Sequence, residues 1–189
     1  MEYSRRVVTL LMNKRYYRVI FIFRLVVLSF ILLTPFLLFS EEKQPKWLSL
    51  TIADSLREET GKPIVINIYR NGCGWCRKMD NITYTDSLIT SVIKESYLPV
   101  KLNTSSRKKI KFNDVEIDES SFARALGIRG VPSTVFISPD GKPVVNAPGF
   151  IPPEKYIYLL KFVTGKWYEE FTFDEYYQTE KQIEERRGN

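Results

Sequence analysis

Residues 64–79 read IVINIYRNGCGWCRKM. Ile64 to Tyr69 is a β-branched run of the kind that forms a strand buried on both faces. A glycine-containing turn follows, and Cys73-Gly74-Trp75-Cys76 then opens a helical stretch to Met79. These are the only two cysteines among 189 residues. A thiolate at a helix N-terminus is stabilised by unpaired backbone amides and by the positive end of the helix dipole, which lowers its pKa and makes it the attacking species. Cys73 stands at that end and Cys76 lies one turn deeper on the same face. Cys73 is therefore expected to attack a partner disulfide and Cys76 to resolve the mixed disulfide. Arg77 and Lys78 add positive potential.

Three other readings compete with redox exchange. A structural staple gains little, because closing a four-residue ring is worth only about 2 kcal/mol in the loop-entropy model. Half of a metal site would need two more soft or nitrogen ligands, and outside the pair the chain offers three methionines and carboxylates but no histidine. The third is a non-catalytic module that presents a peptide-binding groove. The missing histidine also excludes Ser-His-Asp and Cys-His catalysis, histidine-ligated zinc or copper, and haem attachment through C-x-x-C-H.

On either side of the cysteine segment, helices alternate with strands. Trp47 to Thr60, with apolar Leu48, Ile52 and Leu56 and a stop at Gly61, reads as a helix. Beyond Met79 comes a second helix capped by Asp86, with Leu88, Ile89, Val92 and Ile93 directed inward, and then a strand from Tyr97 to Asn103. Thr104 to Glu119 is polar and contains a basic run, Arg107 to Lys111; with a turn at Asn113-Asp114 it reads as a surface hairpin. Ser121 to Leu126 is a short helix and Thr134 to Ser138 a strand. Pro139-Asp140-Gly141-Lys142 is a hairpin turn, Val144 to Ala147 its second strand, and Pro152-Pro153 opens a helix through Val163. The pattern is an α/β sandwich with a central mixed sheet flanked by helices.

The strand, the C-x-x-C pair on a helix, and a Val131-Pro132 pair that opens a strand and hairpin resemble the thioredoxin superfamily over roughly residues 47–163. The segment Gly127-Ile128-Arg129-Gly130-Val131-Pro132-Ser133-Thr134-Val135-Phe136 is similar to the superfamily's cis-proline segment. CGWCRKMD, Thr85-Asp86 and Leu98-Pro99-Val100-Lys101-Leu102 look like exported bacterial thioredoxin-like proteins. The resemblance implies a thioredoxin fold and thiol-disulfide oxidoreductase activity, with the Cys73-Cys76 disulfide as the redox centre and no other cofactor or metal. It implies that Pro132 faces the cysteines and that the Val131 backbone pairs with an extended substrate. Its partners would be protein thiols or disulfides and a membrane or periplasmic electron-exchange protein. Two departures stand out. Cytoplasmic members carry a buried Asp six residues before the first cysteine, and here that residue is Asn67, whose amide cannot serve as a base. They commonly carry Trp just before that cysteine, and here Gly72 leaves the approach to Cys73 less hindered. Trp75 is expected to be exposed between the cysteines, as a partner contact or a mere turn filler.

Residues 1–40 hold six cations against one acid, so the remainder, 22 cations against 21 acids, is nearly neutral. The basic leader therefore explains the net charge of +6, which gives no ground for nucleic-acid binding. A cationic stretch up to Arg18 precedes an almost wholly apolar run, residues 19–39, interrupted by Arg24. That pattern is an export signal or a membrane anchor, and residues 41–189 are expected to face out of the cytoplasm. Its uninterrupted part, Leu25 to Phe39, has the length of a signal core. The full run spans a bilayer only if Arg24 snorkels to the headgroups, which leaves cleavage and retention both open. The expected organisation is a leader at 1–40, a thioredoxin-like domain at 41–163 and an aromatic, charged helical extension at 164–189. Thr172 with Glu175 forms a capping box for a helix from Phe173 to about Arg187. The aromatic strip before and within it is expected to pack back on its own domain, with partner docking as the alternative.

Overall fold

The computed structural model describes residues 18–25, 27 and 44–188. The chain divides into two compact units, Met1–Glu42 and Lys43–Asn189. Apart from residues 18–25 and 27, which are helical, the expected leader lies outside the described residues. Among those described, no helix is long and apolar enough to cross a membrane.

The second unit runs α1 (Leu50–Thr60), β1 (Ile64–Tyr69), α2 (Gly74–Ile82), α3 (Ser87–Ser96), β2 (Leu98–Asn103), β3 (Lys109–Phe112), β4 (Val115–Asp118), α4 (Glu119–Ala125), β5 (Ser133–Ile137), β6 (Pro143–Pro148), α5 (Pro153–Thr164), a 3-10 turn (Trp167–Glu169) and α6 (Phe173–Gly188). The main sheet has the order β2-β1-β5-β6, with β1 parallel to β2 and antiparallel to β5, and β6 antiparallel to β5. This is the mixed sheet the alternation predicts. Side chains alternate across a strand, so β1 feeds two cores. Val65 packs with Met79, Phe136, Leu159 and Phe162 on one side. Ile64, Ile66 and Ile68 pack with Leu50, Ala53 and Phe122 on the other.

Several elements differ from the sequence expectation. Helix α1 begins at Leu50, because Ser49 takes the N-cap and accepts the Ile52 N–H; the preceding Leu48 is extended and bridges to Val100 of β2. Its inward stripe is Leu50, Ala53, Asp54 and Arg57, while Ile52 is 52% exposed. The polar pair wins the inward face because it is satisfied there. Arg57 binds Asp54 Oδ1 at 2.7 Å, the Pro139 carbonyl at 2.7 Å and Asn113 Oδ1 at 3.0 Å. In α3 the inward residues are Ile89 and Ile93 with Val92 beside them. Leu88 lies off that stripe and is 58% exposed.

The hairpin β3–β4 turns at Asn113-Asp114, both at positive φ, as its turn chemistry requires. It is more than a surface feature, since Ile110 and Phe112 are buried in the core under α1. The C-terminal extension packs on its own domain. Tyr176 joins the core around Phe162, with Phe173 and Tyr177 against it. The capping box forms as read, with Thr172 N–H donating to Glu175 Oε2 at 2.9 Å and Glu175 N–H to Thr172 Oγ1 at 3.3 Å.

Candidate active site

Strand β1 and helix α2 are joined by a tight turn, residues 70–72, and this turn presents the cysteines. The Cys73 N–H donates to the Arg70 carbonyl at 3.2 Å. Gly72 has φ +78°, with nothing within 4 Å of where a Cβ would stand, so the turn needs glycine for its backbone conformation. Cys73 is the N-cap of α2, and its Sγ accepts the Cys76 N–H at 3.0 Å. The two cysteines are joined as a disulfide with Cα atoms 5.3 Å apart. Their exposure is unequal: Cys73 is partly exposed, whereas Cys76 is 3% exposed. Only Cys73 is open to a large partner.

The Val131-Pro132 bond is cis. The Val131 carbonyl oxygen lies 3.9 Å from Cys73 Sγ. Among the described residues, neither the N–H nor the C=O of Val131 has a backbone partner. The loop is held from both sides, by Gly149 N–H donating to the Pro132 carbonyl at 2.8 Å and Ser133 Oγ donating to the Gly130 carbonyl at 2.8 Å. Trp75 is 58% exposed and tilts against Phe150 with ring centroids 5.9 Å apart. Lys78 Nζ lies 4.8 Å from each of these two ring centres.

Asn67 is 1% exposed and lies in the sheet between Lys101 of β2 and Thr134 of β5. Its Nδ2 donates to Asp80 Oδ1 at 3.2 Å, and Lys101 Nζ donates to Asp80 Oδ2 at 2.8 Å. Asn67 Oδ1 has no protein partner. Nearby, the Tyr84 hydroxyl meets that of Tyr156 at 3.1 Å, and burial pushes the Tyr84 pKa up to about 12. Among the described residues no cluster of His, Cys, Asp and Glu is placed to hold a metal ion.

The structure thus brings Cys73, Cys76 and Val131 together, with Pro132 next to Val131 in the chain, Gly72 and Trp75 exposed beside the cysteines and Asn67 buried in β1 against Asp80. The sequence reading missed Asp80, Lys101 and Phe150. Asp80 had a usable signal, since it stands four residues after Cys76 and so shares its helix face. Lys101 and Phe150 are brought in by tertiary structure alone.

A family model described as a thioredoxin-like domain matches residues 53–164, more than half of the chain. The chain belongs to the thioredoxin-like family. It is 28% identical to a thioredoxin of Borreliella burgdorferi over 105 residues, covering 55% of this chain and 75% of that protein. A thioredoxin-fold protein from Helicobacter pylori superposes with a TM-score of 0.59 at 18% identity, over 65% of this chain and 86% of the other. A structure described as DsbH oxidoreductase gives 0.52 at 18% identity, over 65% and 85%. These two structural likenesses show the thioredoxin fold. Family membership together with the Cys73–Cys76 pair makes the chain a thiol-disulfide oxidoreductase.

Proposed function

We propose that this thioredoxin-like protein works outside the cytoplasm and reduces disulfides of protein substrates, with Cys73 attacking and Cys76 resolving. The observation that carries the assignment of roles is the unequal exposure of the pair, the N-cap sulfur open and the deeper one buried. In the reduced protein the Cys73 thiolate attacks one sulfur of a substrate disulfide, forming a mixed disulfide and releasing the other sulfur as a thiolate. Cys76 then attacks Cys73 Sγ, the second substrate sulfur leaves, and the Cys73–Cys76 disulfide forms. Two electrons pass to the substrate, whose thiolates take up the two protons given up by the cysteines. A dithiol donor must then reduce the pair again, and a membrane or periplasmic electron-exchange protein fits that need. No cofactor beyond the disulfide is required.

Val131 supports this reading through backbone groups beside the sulfur that have no backbone partner among the described residues and suit an extended substrate strand. Pro132 holds that loop against the cysteines, Gly72 leaves the approach open, and Trp75 offers a contact. The basic, apolar leader at 1–40 supports export, either cleaved or retained as an anchor through residues 19–39. The folded part would then comprise a domain at 41–163 and an extension at 164–189. A redox titration against glutathione buffers tests the direction of electron flow, because reductants lie at about −270 mV and oxidants at about −120 mV. A value near the first is expected, and one near the second would overturn the reductase role. Thiols inert to exchange would favour a groove that binds without catalysis.

A further inference from the structure

We propose that the rim around Cys73 selects disulfides carried on acidic, extended segments; this deepens the thiol-exchange reading and rests on it. Four cations stand on the segments that bound the sulfur. Arg70 lies in the turn whose carbonyl receives the Cys73 N–H. Arg77 and Lys78 directly follow Cys76, and Arg77 Nη2 lies 4.0 Å from the position a Gly74 Cβ would take. Arg129 leads into Val131, whose carbonyl oxygen lies 3.9 Å from Cys73 Sγ. All four are exposed, and among the described residues none of them forms an ion pair.

Two carboxylates at this end of the sheet are already engaged. Asp80 binds Lys101 and Asn67, and Glu119 Oε2 accepts the Asn103 N–H at 3.4 Å. The patch reflects segregation of charge, since residues 41–189 are nearly neutral in sum and residues 169–185 hold seven carboxylates against Lys181. The N-terminus of α2 adds potential of the same sign at Cys73. Lys78 is the best placed of the four cations. Its ammonium sits 4.8 Å from the ring centres of both Trp75 and Phe150, and the attraction of an ammonium for two ring faces holds it at the rim.

The shape of the occupant follows from Val131, whose N–H and C=O have no backbone partner among the described residues and accommodate one extended chain. Its charge follows from the cations, which would receive carboxylates on either side of the substrate cysteine. Electrostatic complementarity of this kind acts mainly on the encounter rate and weakens with ionic strength.

The test uses the reduced full-length protein and two peptides with the same intermolecular disulfide, flanked by Glu in one and by Lys in the other. Hydroxyethyl disulfide, small and uncharged, reports the thiols alone. By stopped flow at about 10 mM salt, the Glu peptide should be reduced about tenfold faster than the Lys peptide, and the ratio should fall toward one at about 0.5 M, where screening lengths are a few ångströms. Combined Arg70→Gln, Lys78→Gln and Arg129→Gln substitutions should shrink the low-salt ratio severalfold when rates are normalised to hydroxyethyl disulfide. Fast reaction with hydroxyethyl disulfide but equal peptide rates, or a faster Lys peptide, would overturn acidic selection and leave thiol exchange standing. A preference that survives both salt and the substitutions would show that these cations are not its source. Failure to reduce hydroxyethyl disulfide would sink both readings.

Discussion

At the scale of single residues, the cysteine pair differs in exposure, Cys73 partly open and Cys76 buried. With the disulfide reduced, the partly exposed N-cap sulfur should react with iodoacetamide near neutral pH well before the buried one, because the reagent reaches it and the helix N-terminus favours its thiolate. Mass spectrometry of the labelled peptides reads this directly, and equal slow labelling would contradict it. A Cys76→Ser variant should trap mixed disulfides with the natural substrate. Asn67 is buried in β1, and a carboxylate reaches it from α2, Asp80 at 3.2 Å. Asn67→Asp would put two carboxyl groups in contact, sharing Lys101. Burial and the like charge should both raise the introduced group's pKa, and the pair should titrate as a coupled unit. The new group could accept the Cys76 proton, so stopped-flow reduction of a model disulfide should speed up around neutral pH. Stability should fall by about 1–3 kcal/mol. Since the folded-state pKa of the introduced group is raised, an additional ionisation penalty should be absent in acid, grow as pH rises from the ordinary aspartate range and level off above the raised value, which urea unfolding across pH would show. Loss of stability with no gain in rate would mean that proton transfer is already served or does not limit exchange.

At the scale of elements, Arg57 shows how one side chain ties distant turns together. It reaches from α1 to the Pro139 carbonyl and to Asn113, so the β3–β4 turn and the β5–β6 turn share one clamp. Asn113 returns two bonds, its N–H to Asp54 Oδ2 at 2.8 Å and its Nδ2 to the Gly141 carbonyl at 3.2 Å. Gly141 is required there because its φ is +81° and a Cβ would stand 2.7 Å from Asn113 Oδ1. Arg57→Ala should leave Asp54 buried without its partner and cost about 3–5 kcal/mol in urea unfolding; a loss within experimental error would show that the clamp is dispensable. On the opposite face, Tyr176 of α6 is 8% exposed and packs on Phe162 with ring centroids 5.3 Å apart. Tyr176→Ala should cost about 3 kcal/mol. An unchanged unfolding midpoint would mean that α6 docks without stabilising the domain.

At the scale of the whole molecule, buried tyrosines set the alkaline limit. Desolvation raises Tyr84 to about 12, Tyr156 well above its ordinary value and Tyr97 likewise. The unfolded chain releases these protons near 10. Their contribution to stability is therefore complete below that pH and is lost as pH rises through the folded values. Tyrosinate absorbance should show the exposed tyrosines titrating first and the buried ones together with loss of far-ultraviolet dichroism. Independent titration of every tyrosine near 10 with the fold intact would contradict the burial. The topology of the full chain has its own test. A reporter enzyme that works only outside the cytoplasm should be active when fused after residue 189, and activity of a cytoplasm-only reporter at that junction would reverse the orientation.

What the sequence determined by itself is what short-range physics controls. The β1 run, the helix opening at Cys73, the Asn113-Asp114 turn, the start of α5 at Pro153 and the Thr172/Glu175 capping box were all legible, because each depends on residues within a turn or two of one another. Which helix face turns inward was less so. In α1 the choice of Leu50 and Arg57 over Ile52 depends on partners supplied by Pro139 and Asn113, far along the chain. The site divides in the same way. The sulfur pair and its polarity along α2 are local, while the Val131-Pro132 pair is legible in the sequence but the approach of Val131 to Cys73 is not. Only the sheet order β2-β1-β5-β6 and its register bring Val131 to Cys73, Lys101 and Asp80 to Asn67, and Phe150 to Trp75. Local preferences choose the elements. The burial of both faces of β1 fixes how those elements cross, and that crossing decides which side chains meet around the sulfur.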